Sequence, residues 1–132
     1  METTGDKSEI LLHKVFTMII YIGFSTKSHK ILARIFCRKF RHCAPIVIHK
    51  NRCEMYQFTN SKQINIIKIK RRDIKILITY GWVFVKYNIK SVPQNALNIS
   101  AITCVQFTKK FCDIRQLKIQ TPDALFKHLC KK

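Results

Sequence analysis

Six cysteines and five histidines are the residues of this chain whose side chains could act as nucleophile, base or metal ligand. A thiol is a useful nucleophile only as its thiolate, and the positive end of a helix dipole favours that form. In "ISAITCVQFTKKFC", Thr103 followed three residues later by Gln106 matches a T-x-x-Q capping box. That spacing predicts Thr103 as N-cap and Cys104 as the first residue of a helix running to about Cys112. No other cysteine falls at a predicted helix start. Cys112 lies near the end of the same helix, where the dipole opposes ionisation, Cys130 is near the C-terminus, and Cys37 is near the end of another predicted helix. Cys43 and Cys53 lie on or beside strands and read as packing thiols.

A cysteine nucleophile needs a base, normally histidine, held by a third group. The segment "RHCAPIVIHK" reads as a strand. Alternate side chains of a strand share a face, so His42 goes with Ala44, Ile46 and Ile48, and His49 goes with Cys43 and Val47. The apolar partners of His42 suit an interior face and make it the preferred base. His13, His29 and His128 sit in polar or terminal contexts. A metal site competes for the same residues, because Cys37, His42, Cys43, His49 and Cys53 crowd together. Zinc sites present paired ligands at C-x₂₋₄-C-like spacings, and neither "CRKFRHC" nor "HKNRC" completes such a pair.

Several elements must position these groups. "VFTMIIYIGF" is short and β-rich and predicts a first strand, broken by Gly23 and "STKS". Ser28 can cap a helix through "HKILARIFCRKF", followed by the His42 strand, in which Pro45 argues for an edge or a bulge. "EMYQFT", "INIIKIK", "IKILITY" and "WVFVKYNI" read as four more strands, with Gly81 permitting a turn. Ile74, Ile76 and Ile78 alternating with Lys75, Leu77 and Thr79 is the pattern of a sheet with one solvated face. The whole resembles a β-meander of about six strands. The Cys104 helix should bury Val105, Phe107, Thr108 and Phe111. A last helix opens at "TPDALFKHL", with Thr121 as cap, Pro122 in the first turn and Asp123 complementing the dipole.

At 132 residues and 47% hydrophobic content, the chain suits one packed core, expected over residues 13–132 behind a polar, mobile segment 1–12. A formal charge of +18 draws anionic partners: nucleic acid through nonspecific charge, phospholipid, or cell-wall peptide on an acidic polymer. Richness in Ile, Lys and Asn is also what a biased coding composition leaves behind. The apolar run Val15–Phe24 is too short to span a bilayer, which takes roughly 20 residues. It follows an acidic leader without a small-residue cleavage site, so no transmembrane segment or signal peptide is expected. Reduced thiols and a cytoplasmic location follow as the working expectation. No phosphate-binding glycine loop, dinucleotide fingerprint or serine-hydrolase elbow occurs, and no cofactor is implied.

The order strand, helix, histidine-bearing strand, further strands, then a cysteine at a helix start resembles the circularly permuted branch of the NlpC/P60 papain-like superfamily. In that branch, as in relatives of lecithin:retinol acyltransferase, the histidine precedes the cysteine. The pieces that carry the resemblance are "KILARIFCRKFRHCAPIVI", "ITCVQFTKKF" and "TPDALFKHL". They look most like small phage and bacterial proteins of this branch, and the match in order covers roughly residues 15 to 130. The resemblance implies an α+β papain-like fold, with Cys104 as nucleophile and His42 as general base. It also implies a polar third residue from the next strand, Gln57 or Glu54, which face opposite ways there. Gln57 is preferred, although a neutral amide orients the ring without stabilising imidazolium as a carboxylate does. The implied activity is that of a cysteine hydrolase or acyltransferase, peptidase or amidase in type, passing through a thioester.

Two other readings fit the same residues. A basic sheet with Tyr80, Trp82, Phe84 and Tyr87 near "KIKRR" could stack nucleic-acid bases, unless Trp82 and Phe84, sharing one face, are simply core. A papain-like fold could also persist without chemistry, as a binding or structural protein.

Overall fold

The computed structural model describes residues 17–26, 40–59 and 61–131. It is α+β, with five antiparallel strands and three helices among the described residues. The strands are β1 (Met18–Ser25), β2 (His42–Ile48), β3 (Arg52–Phe58), β4 (Ile64–Lys70) and β5 (Val83–Ile89). The helices are α1 (Ile74–Thr79), α2 (Cys104–Cys112) and α3 (Pro122–Cys130). The expected mobile segment 1–12 and the helix capped by Ser28, with Cys37 and His29, lie outside the described residues, as does His13.

Strand order is β4-β3-β2-β1-β5, which puts β2 and its histidine at the centre. β1 to β4 form a meander, but β5 pairs with β1 instead of β4, with Ile22 opposite Val85. Four antiparallel steps separate the two edge strands, so β4 and β5 run parallel. Parallel strands need a crossover connection. That connection is made by the segment expected to be the strand "IKILITY", which instead forms a 3₁₀ turn (Arg71–Asp73) and the helix α1. Ile74 and Leu77, three residues apart, pack against the sheet, while Ile76 and Ile78 are about half exposed. In so short an apolar run, spacing of two and helical spacing are hard to separate, and the need to cross the sheet decides. Among the described residues the sheet therefore has five strands and not six. Gly81, at φ +96°, turns the chain from α1 into β5.

Both faces of the sheet centre are covered. On one, Ile20, Ile22 and Phe24 of β1, Cys43 and Val47 of β2 and Tyr56 and Phe58 of β3 pack with Val105, Phe107, Phe111, Leu125 and Leu129 of α2 and α3. On the other, Ala44, Ile46, Cys53 and Met55 are overlaid by Ile74, Leu77, Trp82 and Phe84. This second layer replaces the solvated face that alternation suggested. Gly23 does not break β1, which continues to Ser25. Its lack of a side chain has another use, since a Cβ there would meet the Trp82 ring at 2.9 Å. Trp82 and Phe84 stack on each other over that gap, as core residues do.

Pro45 stands in the central strand, not at an edge, paired with Ile22 of β1. On its other side the β2–β3 ladder runs only from Ile48–Cys53 to Ile46–Met55. A proline has no N–H to extend a ladder, and the pairing stops at Pro45. The three residues of β2 before it, His42 to Ala44, have β1 as their ladder partner.

Candidate active site

The site lies where α2 begins against the start of β2. Thr103 is the N-cap of α2, in extended conformation, and its hydroxyl accepts the Gln106 N–H at 3.1 Å. The Gln106 side chain returns to the Ile102 N–H at 2.6 Å, one residue earlier than a standard capping box would place it. Cys104 is then the first residue of α2, as its spacing predicted, and is partly buried at the edge of the main core. The helix is held down by buried Val105, Phe107, Thr108, Phe111 and Cys112. It presents its first turn to β2, with which it makes its main sheet contact.

Cys104 is held well below the ordinary thiol range. The first cause is a hydrogen bond from the Cys43 thiol; burial opposes it, and hydrogen bonding to His42, the charge of His42 and the Cys43 backbone N–H add to the lowering. Each favourable group donates to the sulfur or carries positive charge, which stabilises the thiolate. The two sulfurs are 4.0 Å apart. Cys43 itself is pushed well up, mainly by burial and then by the neighbouring Cys104 sulfur, so in this pair Cys43 keeps the proton. Its Sγ is also 3.5 Å from the Thr108 hydroxyl.

His42 is the first residue of β2. Its ring is T-shaped to that of Trp82, with ring centroids 6.2 Å apart at 89°. Its Nε2 is hydrogen-bonded to Gln57 Oε1. A carboxamide oxygen can only accept, so Nε2 carries the hydrogen and Nδ1 is the nitrogen left for Cys104. The Gln57 amide nitrogen donates to Met55 Sδ at 3.1 Å, which sets which way round the amide lies. Glu54, the other candidate from β3, is engaged elsewhere, at 2.5 Å from His49. The structure thus brings Cys104, His42 and Gln57 together and leaves Glu54 and His49 at the far end of β2.

The remaining cysteines do not join the site. Cys112, buried at the last turn of α2, is pushed up to about 12 by desolvation. Cys53 is buried in the second layer, Cys130 is exposed, and all the described cysteines are free thiols. No group of three or more His, Cys, Asp or Glu side chains is arranged to hold a metal among the described residues, and no helix there is long and apolar enough to cross a membrane. A groove of about 340 Å³ runs beside the start of α2, between Thr103, Val105 and Gln106 and the loop carrying Leu117 and Ile119.

Sequence reasoning passed over Cys43 as a packing thiol. A signal for it was present, because Cys43 follows His42 and alternation turns it to the opposite face, the one α2 covers. A last contact supports the approach to the site. Asp123 in the first turn of α3 accepts the Phe40 N–H at 2.9 Å, tying that helix to the chain just before His42. No protein-family model, curated protein or solved structure matches this chain.

Proposed function

We propose that this protein is a cysteine hydrolase or acyltransferase of the permuted papain-like kind, in which Cys104 attacks an amide or ester carbonyl. The observation that carries the reading is the chain of contacts from Gln57 Oε1 to His42 Nε2, and from His42 to a Cys104 thiol held low at a helix N-terminus. His42 Nδ1 takes the thiol proton and the thiolate adds to the carbonyl carbon. The tetrahedral oxyanion collapses, the leaving amine or alcohol takes the proton from His42, and a thioester remains. Water or an amine, deprotonated by the same imidazole, then releases the acyl group and restores the thiol. The Cys104 backbone N–H, free at the first turn of α2, suits one donor of an oxyanion hole. The +18 charge favours an anionic substrate, a cell-wall peptide on an acidic polymer or a phospholipid.

The test is the rate of iodoacetamide alkylation of each cysteine across pH in the native protein, read by mass spectrometry, beside His42→Ala. Cys104 should react well below pH 8, and His42→Ala should move its profile upward and slow it at neutral pH. A Cys104 no more reactive than Cys112 ends the catalytic reading and leaves the basic surface as the leading clue to function.

A further inference from the structure

Cys43 is a buried thiol that acyl transfer does not consume. It is fully buried on the central strand, faces the partly buried Cys104 at 4.0 Å between sulfurs, and comes from a position 61 residues earlier in the chain. Of the described cysteines it is the one hydrogen-bonded to the candidate nucleophile; Cys112 lies at the other end of α2, and Cys53 and Cys130 lie elsewhere. We infer that Cys43 is a resolving thiol, and that the Cys43–Cys104 pair closes reversibly to a disulfide between β2 and α2 when Cys104 is oxidised by a hydroperoxide. The inference rests on Cys104 being an accessible thiolate, as the proposed function also requires.

The chemistry balances without a metal or cofactor. The Cys104 thiolate attacks the distal peroxide oxygen; an S–O bond forms, the O–O bond breaks, and the alkoxide or hydroxide leaving group takes a proton from solvent. Sulfur has lost two electrons and the peroxide has gained them, giving Cys104 sulfenic acid. The Cys43 sulfur then attacks Cys104 Sγ; an S–S bond forms, the S–O bond breaks, and the departing hydroxyl leaves as water with the proton that Cys43 carried. An external dithiol reverses the step by exchange.

Geometry favours this closure. An S–S bond is about 2.05 Å long, so the sulfurs must approach by about 2 Å to close it. Thr108, 3.5 Å from Cys43 Sγ, holds that thiol beside Cys104. Low thiol pKa, partial exposure and an adjacent second thiol together mark sulfurs that oxidise reversibly and not onward to sulfinic acid. While the disulfide stands, Cys104 has no thiolate, so the link would switch acyl transfer off and protect the nucleophile.

The test treats the native protein with hydrogen peroxide, at one equivalent and in excess, and maps its peptides without reduction. The expected products are a loss of 2 Da and a linked pair of peptides containing Cys43 and Cys104, both reversed by dithiothreitol. Cys43→Ser, with Cys43→Ala as a second variant in case one does not fold, should leave Cys104 as a sulfenic acid that dimedone traps; without dimedone, excess peroxide should carry it irreversibly to mass gains of about 32 and 48 Da. Cys112→Ser should still form the link. If wild-type Cys104 alkylates as a low-pKa thiol yet gives sulfinic acid or a link to another cysteine, the resolving role is overturned while the catalytic reading stands. An inert Cys104 in both experiments overturns both.

Discussion

His42 and Gln57 join through Nε2 and Oε1 just past the point where the β2–β3 ladder stops at Pro45. The side-chain bond stands in for strand pairing at that end, and it holds the imidazole with one nitrogen committed. Gln57→Ala should therefore lower the neutral-pH alkylation rate of Cys104 by about tenfold, the worth of one hydrogen bond of ~1.4 kcal/mol. Gln57→Glu should retain most of the rate. A Gln57→Ala protein that alkylates at the wild-type rate would show that the ring needs no orienting partner.

Thr103 acts on stability and on Cys104 together. Thr103→Ala removes the acceptor of the Gln106 N–H and should cost about 1 kcal/mol, seen as a lower urea midpoint with an unchanged slope. Fraying the first turn also weakens the dipole at Cys104, so the alkylation profile should shift to higher pH. Thr103→Ser should restore both measurements.

Gly23 sets the position of the sole tryptophan. Gly23→Ala puts a methyl group against the Trp82 ring, which must move, and Trp82 packs T-shaped against His42. The expected result is a red-shifted fluorescence spectrum with slower alkylation of Cys104. An unchanged spectrum would mean that the ring has room to spare.

Cys112 gives stability a dependence on alkaline pH. Its folded pKa, about 12, lies above the ordinary thiol value near 9. Between those values the unfolded chain loses a proton that the folded chain keeps. The contribution is therefore fully present below about pH 9 and falls by ~1.4 kcal/mol per pH unit above it. Urea denaturation at pH 8 and pH 10.5 should show a smaller drop for Cys112→Ser than for the wild type, whatever the variant's stability at pH 8. Equal drops would mean that Cys112 ionises as freely folded as unfolded.

Asp123 is expected to matter through its bond to Phe40. Asp123→Ala leaves the N–H of buried Phe40 without its carboxylate acceptor, at a cost of about 1 to 3 kcal/mol. Asp123→Asn, which keeps an acceptor oxygen, should recover most of it. Thermal or urea unfolding of the two variants measures the difference.

What the sequence disclosed followed the range of the interactions. The start of α2 was readable because a cap is settled within four residues, Thr103 to Gln106. The faces of β2 and β3 were readable from alternation, which also separates Gln57 from Glu54. The path of residues 71–82 was not, because Ile74 to Thr79 satisfy two periodicities and only the placement of β5 beside β1 rules out a strand. Pro45 misled for a related reason. Its missing N–H excludes a fully paired position, yet a central strand whose ladder ends there accepts it. Cys43 was legible as a direction and not as a contact, since its neighbour lies 61 residues away.

The strand order also orders the assembly of the molecule in time. β1 to β4 pair with sequence neighbours, whereas β5 must return across the sheet to β1, and closing so long a loop is slow. The imidazole and its amide partner belong to the early meander; the thiol arrives behind β5. Pulsed hydrogen exchange during refolding should accordingly protect Met55 before Val85. A chain still folding therefore holds the imidazole without the thiol, and any chemistry of the pair waits for the last elements to dock.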